Sequence, residues 1–217
     1  MPDELAVILD FGGVMTGPVT AMFKRFAAST GLTPEQSHAV IGRVYAGGPA
    51  GEGPIQQLEL GAITPEDLAA HLADAIREVT GRDTPAEGLF EQMWGTLELD
   101  ATMVEGVRRL RHAGVRTALL SNSWGANNYP FQALEGVFDT LVISGTERIR
   151  KPDPAIYRLA LQRLDLPASA CAFVDDLTAN VAVAAELGIH GVLHTDPLDT
   201  LGRLQQWACL PEGSLTS

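Results

Sequence analysis

The 217 residues are 46% apolar and 19% charged, a balance typical of soluble globular proteins rather than disordered ones. The length lets the chain bury a core as one large domain or as one domain with a sizeable insert. A net charge of −12 repels nucleic acid and anionic membrane surfaces, yet admits a small anionic substrate where a metal or local positive charge offsets the field.

Cys171 and Cys209 sit in unrelated contexts, with no C-x-x-C spacing and no sign of a disulfide framework. Asp3 and Glu4 stand where a signal peptide would carry basic residues, and the longest apolar run is far short of a membrane span. A cytoplasmic protein is expected.

The first strand is read at Leu5–Leu9; it ends on Asp10 and runs into Gly12 and Gly13. Thr33-Pro34-Glu35-Gln36 and Thr64-Pro65-Glu66-Asp67 each present an N-cap threonine, a proline at N1 and an acceptor at N3. After the second, Leu68, Leu72, Ala75, Ile76 and Val79 form one apolar stripe. A helical insert over residues 17–93 is expected, flanked by a core of residues 1–16 and 94–217. Trp94 and the LELD segment around Glu98 mark the return to the core. Within the insert, Gly47–Pro54 (GGPAGEGP) is a loop, either a connector between helices or a substrate-facing segment.

Four further strands are read at Val115–Leu120, Thr140–Ile143, Ala170–Val174 and Ile189–Leu193, with helix-period segments between the later ones. One helical segment stops at Gly114, one opens at Pro154 with Ile156, Leu159, Ala160 and Leu164 on a face, and Leu177–Leu187 stops at Gly188. Strand alternating with helix predicts an α/β fold, a Rossmann-like parallel sheet with helices on both faces plus an inserted α-helical cap.

In such a sheet, ligands bind at the carboxyl ends of the strands. Those ends carry Asp10, then Ser121-Asn122, then Lys151 in RKPDP, then Asp175-Asp176 with Asn180 one helical turn on. Each has an ordinary role open to it: Asp176 as a helix N-cap, Ser121 capping a turn, Lys151 as a solvated surface lysine, Asp175 facing water. Three carboxylates gathered together repel, and need a cation or raised pKa values. With no cysteine or histidine among them, a hard cation taking oxygen ligands fits, magnesium best.

These motifs, Asp10 in ILDFGGV, Ser121 in LLSNS, Lys151 in RKPDP and Asp175-Asp176 in VDDLTAN, resemble in order and spacing those of the haloacid dehalogenase-like hydrolases. The likeness runs along essentially the whole chain. It includes a cap inserted after the first motif, as in sugar-phosphate phosphatases and the N-terminal phosphatase domain of epoxide hydrolases. It implies a phosphatase acting on a small phosphorylated metabolite, with Asp10 as nucleophile forming an aspartyl phosphate. It further implies Mg2+ held by Asp10, the Gly12 carbonyl and Asp176, with Asp175 acting through water. Ser121, Asn122 and backbone N–H groups after Asp10, Gly13 among them, would hold the phosphoryl oxygens. Lys151 would offset the negative charge.

One departure stands out. Most phosphatases resembling this chain carry an aspartate as general acid and base where this sequence has Gly12, so poor leaving groups should suffer most. His38 and His71 are candidate replacements from the cap. Trp124, Asn127, Asn128 and Tyr129 either face the cap and substrate or serve packing. Two rivals remain: a dehalogenase, against which Asp175-Asp176 speak, and a phospho-ligand-binding protein of low turnover, for which only Gly12 speaks.

Overall fold

The computed structural model describes residues 4–46, 52–95, 97–125 and 129–216. The loop expected at Gly47–Pro54 therefore lies largely outside the described residues, as do Asn127 and Asn128. Five parallel strands, β1 (Ala6–Leu9), β2 (Arg116–Ser121), β3 (Thr140–Ile143), β4 (Cys171–Asp175) and β5 (His190–Leu193), form one sheet in the order β3-β2-β1-β4-β5. This is the sheet the sequence pattern predicts, with ends shifted by a residue at most strands.

All four residues of β1 are buried, because both faces of a parallel sheet are covered and its strands read as unbroken apolar runs. The two-residue period then sorts side chains between the faces. Val7, Leu9, Leu119 and Val174 pack with Met103, Val107 and Leu110 of a helix at Ala101–His112 and with Leu201 and Leu204 of another at Pro197–Trp207. Ala6, Ile8, Leu120 and Phe173 pack on the opposite face with Ile156, Tyr157 and Leu164 of the helix Pro154–Leu164. The helix at Pro197–Trp207, capped by Asp196, is not among the expected elements.

In chain order the helices are α1 (Val19–Thr30), α2 (Pro34–Tyr45), α3 (Pro54–Glu59), α4 (Pro65–Thr80), α5 (Leu89–Trp94), α6 (Ala101–His112), α7 (Ser144–Glu147), α8 (Pro154–Leu164), α9 (Thr178–Glu186) and α10 (Pro197–Trp207). The first five enclose a core of their own around Met22, Phe26, Val40, Leu68, Leu72 and Ile76, with Trp124 reaching in from beyond β2. Both expected capping boxes form, Thr33 with Gln36 and Thr64 with Asp67; a cap of this kind contributes about 1 kcal/mol. Among the described residues no helix is long and apolar enough to cross a membrane.

Two short backbone runs join the helical layer to the sheet. Thr16 bridges Leu99 in antiparallel fashion. Gly17 N–H donates to Glu98 O at 3.0 Å, and Asp100 N–H to Met15 O at 2.9 Å. The chain thus leaves and re-enters the sheet layer side by side. A second seam joins α3 to α7: Ser144 Oγ donates to the Glu59 carbonyl while accepting from Ser123 N–H at 2.8 Å. Gly61 lies so close to this seam that a Cβ on it would stand 2.6 Å from Gly145 O.

Candidate active site

Register alone brings the strand-end residues together. Leu9 is level with Leu119 of β2 and with Val174 of β4, so Asp10, Ser121 and Asp175 emerge at one edge of the sheet. The lysine reaches them from the loop before α8. Lys151 Nζ stands 2.7 Å from Asp10 Oδ1 and 2.7 Å from Asp175 Oδ2, with 1% of its side chain exposed. It is a buried bridge, not a solvated surface lysine. Its backbone is clamped by Asn122, whose Oδ1 accepts from Lys151 N–H at 2.8 Å and whose Nδ2 donates to Lys151 O at 3.1 Å. Asn122 therefore positions the lysine as well as lining the cavity.

Asp175 is fully buried and fully engaged. Its Oδ1 accepts from Leu177 N–H at 2.8 Å, both its oxygens accept from Asn180 Nδ2 at 3.0 Å, and Oδ2 takes Lys151. It does not face water, and it, rather than Asp176, ties down the start of α9. Asp10 Oδ1 also accepts from Phe11 N–H at 2.7 Å. Tyr129 donates its hydroxyl to Ser121 Oγ at 2.8 Å.

The electrostatics follow from the crowding. Asp10, Asp175 and Asp176 each offer an oxygen within 4.8 Å of the others, against one lysine. Burial raises Asp10 to about 7, opposed by Lys151 and reinforced by Asp175 and Asp176. Burial and then Asp175 raise Asp176 to about 6. Burial pushes Lys151 down, but Asp10 and Asp175 outweigh it and hold the ammonium above its ordinary value. Such a cluster is relieved by a cation, and an all-oxygen donor set suits a hard one. With both Asp175 oxygens taken, Asp10 and Asp176 are the members of the cluster that could ligate a cation directly.

Gly13 explains part of the G-G pair. It sits at φ +79°, and a Cβ there would overlap the Asp176 carboxylate; only glycine leaves that space at low cost. Its N–H donates to Thr16 Oγ1 at 3.0 Å, and Gly12, not Gly13, lines the cavity.

The cavity holds about 290 Å3. Asp10, Ser121, Lys151 and Asp176 form its polar end, and the helical layer closes it with Val19, Phe23, Tyr45, Glu59 and Trp94, beside Trp124. The rings form a chain of contacts, with Trp94 stacked on Trp124 at 5.2 Å and Phe23 lying 6.3 Å from Trp124. Sequence reasoning missed Glu59. It is buried on α3, pushed above its ordinary value by burial, and held 2.6 Å from Arg150. Nothing in QLELG marks it, because its setting comes from the α3–α7 seam. His71 is exposed on α4, and His38 lines a separate groove between α1 and α2.

The family model described as haloacid dehalogenase-like hydrolase matches residues 5–188, and the chain belongs to this family of hydrolases. It is 32% identical over 154 residues to the sesquiterpene phosphatase astK of Aspergillus oryzae, covering 70% of this chain and 77% of that protein. It is 30% identical over 193 residues to acyl-CoA dehydrogenase family member 10 of Mus musculus, covering 86% of this chain but 17% of that longer protein. In fold it resembles a haloacid dehalogenase family enzyme from Bacteroides thetaiotaomicron, crystallised with magnesium and inorganic phosphate, at a TM-score of 0.64 and 22% identity over 88% of this chain and 94% of that one. A dehalogenase crystallised with an intermediate shares the fold at a TM-score of 0.66 and 22% identity, over 97% of this chain and 98% of that one.

Proposed function

We propose that this hydrolase is a magnesium-dependent phosphatase acting on a small phosphorylated metabolite through an aspartyl phosphate on Asp10. The observation that carries the reading is a single buried lysine bonded at once to Asp10 and Asp175, with Asp176 alongside. The phosphatase among the relatives and the magnesium and phosphate bound to the Bacteroides enzyme support it.

In this reading the Asp10 carboxylate attacks phosphorus, the bond from phosphorus to the leaving oxygen breaks, and that oxygen takes a proton from water. A second water then attacks the phosphorus, releasing inorganic phosphate and regenerating Asp10. Lys151 stays charged throughout and neutralises the transferring oxygens. Tyr129 anchors the Ser121 oxygen at 2.8 Å. The Ser121 hydroxyl, which donates at 3.3 Å to the Asn122 carbonyl, turns to donate to the phosphoryl oxygens instead, while Asn122 keeps Lys151 in place. Gly13 leaves room for Asp176. Magnesium would be held by Asp10, the Gly12 carbonyl and Asp176, while Asp175, its oxygens taken by Lys151, Asn180 and the Leu177 N–H, would hold Lys151 beside the site; when bound, the ion would supply further charge neutralisation at the phosphoryl group. Residues 17–93 serve as a cap over the core formed by residues 1–16 and 94–217.

The test is hydrolysis of p-nitrophenyl phosphate. Turnover should require magnesium and vanish in Asp10→Asn. Gly12 favours one other reading, a phospho-ligand-binding protein of low turnover. Wild-type protein that binds magnesium and phosphate analogues but releases no p-nitrophenol would establish that alternative.

A further inference from the structure

Most polar groups of the cavity gather at one end, where Asp10, Ser121, Asn122, Lys151 and Asp176 meet. The facing wall is Val19, Phe23, Trp94 and Trp124, with Leu177 also in the lining and 57% exposed. A sugar or other polyol in such a site would leave hydroxyls short of partners, at a cost of roughly 1–3 kcal/mol for each one buried unpaired. The helical layer offers few such partners: Thr20, the Tyr45 hydroxyl and Glu59, and Glu59 is already tied to Arg150. This lining suits a hydrocarbon.

The cavity's 290 Å3 sits at the lower end of the usual range for ligand sites, about 300–1,000 Å3, enough for a phosphoryl group and a short stub. It is not the end of the available space. Thr20 and Phe23 of α1 also line a second cavity of about 590 Å3 between α1 and α2, mostly apolar through Ala27, Ala28, Leu32 and Ile41. Besides Thr20, its polar members are Lys24, Ser37 and His38. Positions 20, 23, 27 and 28 recur at helical spacing, so they share one face of α1. Phe23 thus belongs to both cavities, and the two alanines beyond it leave volume where larger residues would fill the groove.

We infer that the substrate is the phosphate monoester of an extended apolar alcohol, whose chain passes Phe23 and lies in the groove between α1 and α2. The inference rests on the phosphatase reading. The aromatic wall takes the carbons nearest the phosphate, and the alanine-lined groove takes the tail.

Acyl phosphates from acetyl to dodecanoyl, kept below micelle-forming concentrations, test it, because the leaving group keeps nearly the same basicity while the chain lengthens. Spontaneous hydrolysis is subtracted with Asp10→Asn, and p-nitrophenyl phosphate reports the phosphatase reading separately. The expected result is a rise in kcat/KM of at least about tenfold from acetyl to dodecanoyl, given the gain from each methylene leaving water. Ala28→Asp, which places a charge on an exposed part of the groove, should abolish most of that rise. Competition by dodecylphosphonate against p-nitrophenyl phosphate should exceed that by methylphosphonate by a similar factor and weaken in the same variant. A flat chain-length profile with p-nitrophenyl phosphate still turned over would overturn the inference and leave the phosphatase reading standing. An undiminished rise in Ala28→Asp would show that the tail lies elsewhere. No turnover of any substrate would remove the phosphatase reading and the inference with it.

Discussion

Glu59 Oε2 on α3 and Arg150 Nε, the residue before the buried lysine, are 2.6 Å apart. This pair spans the seam between the helical layer and the sheet layer, beside the bonds from Ser144 to the Glu59 backbone. It therefore links the position of the helical layer to the loop that delivers Lys151.

Glu59→Ala leaves Arg150 facing a cavity with no carboxylate. Arg150 keeps a quarter of its side chain exposed, so the cost is well below that of breaking a fully buried pair, about 1–2 kcal/mol. Thermal unfolding should fall by roughly 2–8 °C. A double-mutant cycle with Arg150→Ala should return a coupling of at least about 0.5 kcal/mol. Strict additivity of the two losses would show that the pair does not join the layers.

Gly13→Ala meets two penalties at once: a left-handed backbone, costing about 1–2 kcal/mol, and overlap with the Asp176 carboxylate. Asp176 must move, so the magnesium concentration for half-maximal activity should rise at least about tenfold, beyond what instability explains. Unchanged magnesium dependence in a folded variant would refute the role given to Asp176.

Metal-free protein should lose stability as pH rises. The unfolded carboxyls titrate at 3.8, while folded Asp10 and Asp176 titrate at about 7 and about 6. Between those values the folded state holds protons the unfolded chain has released, so the contribution present below the lower value is lost by about pH 7. His194, whose pKa burial lowers, pulls the opposite way. The comparison with Asp10→Asn isolates the carboxylate: in EDTA, wild-type Tm should drop relative to the variant between about pH 4 and about pH 7 and hold level above that. A gap moving in the other direction contradicts the assignment.

In the proposed mechanism, with glycine at position 12, the leaving group takes its proton from solvent. Rates across aryl phosphates should fall steeply as the leaving group becomes more basic. A Cβ at Gly12 would lie 3.3 Å from Val19 Cγ2, so a side chain there needs relief. Gly12→Asp combined with Val19→Ala should flatten the profile and raise rates on alkyl phosphates by about 10²–10⁴-fold if the new carboxyl acts as acid. A shallow wild-type profile would mean another group already donates the proton.

Lys151→Met removes the cation shared by Asp10 and Asp175 while keeping the length of the stem. Turnover of p-nitrophenyl phosphate should fall by at least about 10²-fold, and Asn122→Ala, which frees the lysine backbone, should show a smaller loss. Equal losses in the two variants would point to general disruption rather than lost charge.

The sheet was readable because its strands are buried on both faces, so AVIL, TALL, CAFV and their neighbours are apolar runs between glycine and proline punctuation. Asp10, Ser121 and Asp175 were readable for the same reason: a polar residue ending such a run lies at a sheet edge. Lys151 was ambiguous, since a lysine in a loop is exposed more often than not, and its burial depends on Asn122, 29 residues away. Tyr129 was open between packing and facing the substrate, and only its bond to Ser121 places it at the site; Glu59 and Phe23 carry no local signal at all.

The linear chain by itself determined the order of the five strands along it, the helices that alternate with the later ones, the caps at Thr33 and Thr64, and which residues end the strands, because local periodicity and capping chemistry act over a few positions. Only the tertiary structure decided that one lysine is shared by two carboxylates, that Gly13 makes room for Asp176, and that Glu59 faces Arg150. Those relations depend on side chains far apart in sequence meeting in a space that exists only once the layers have packed.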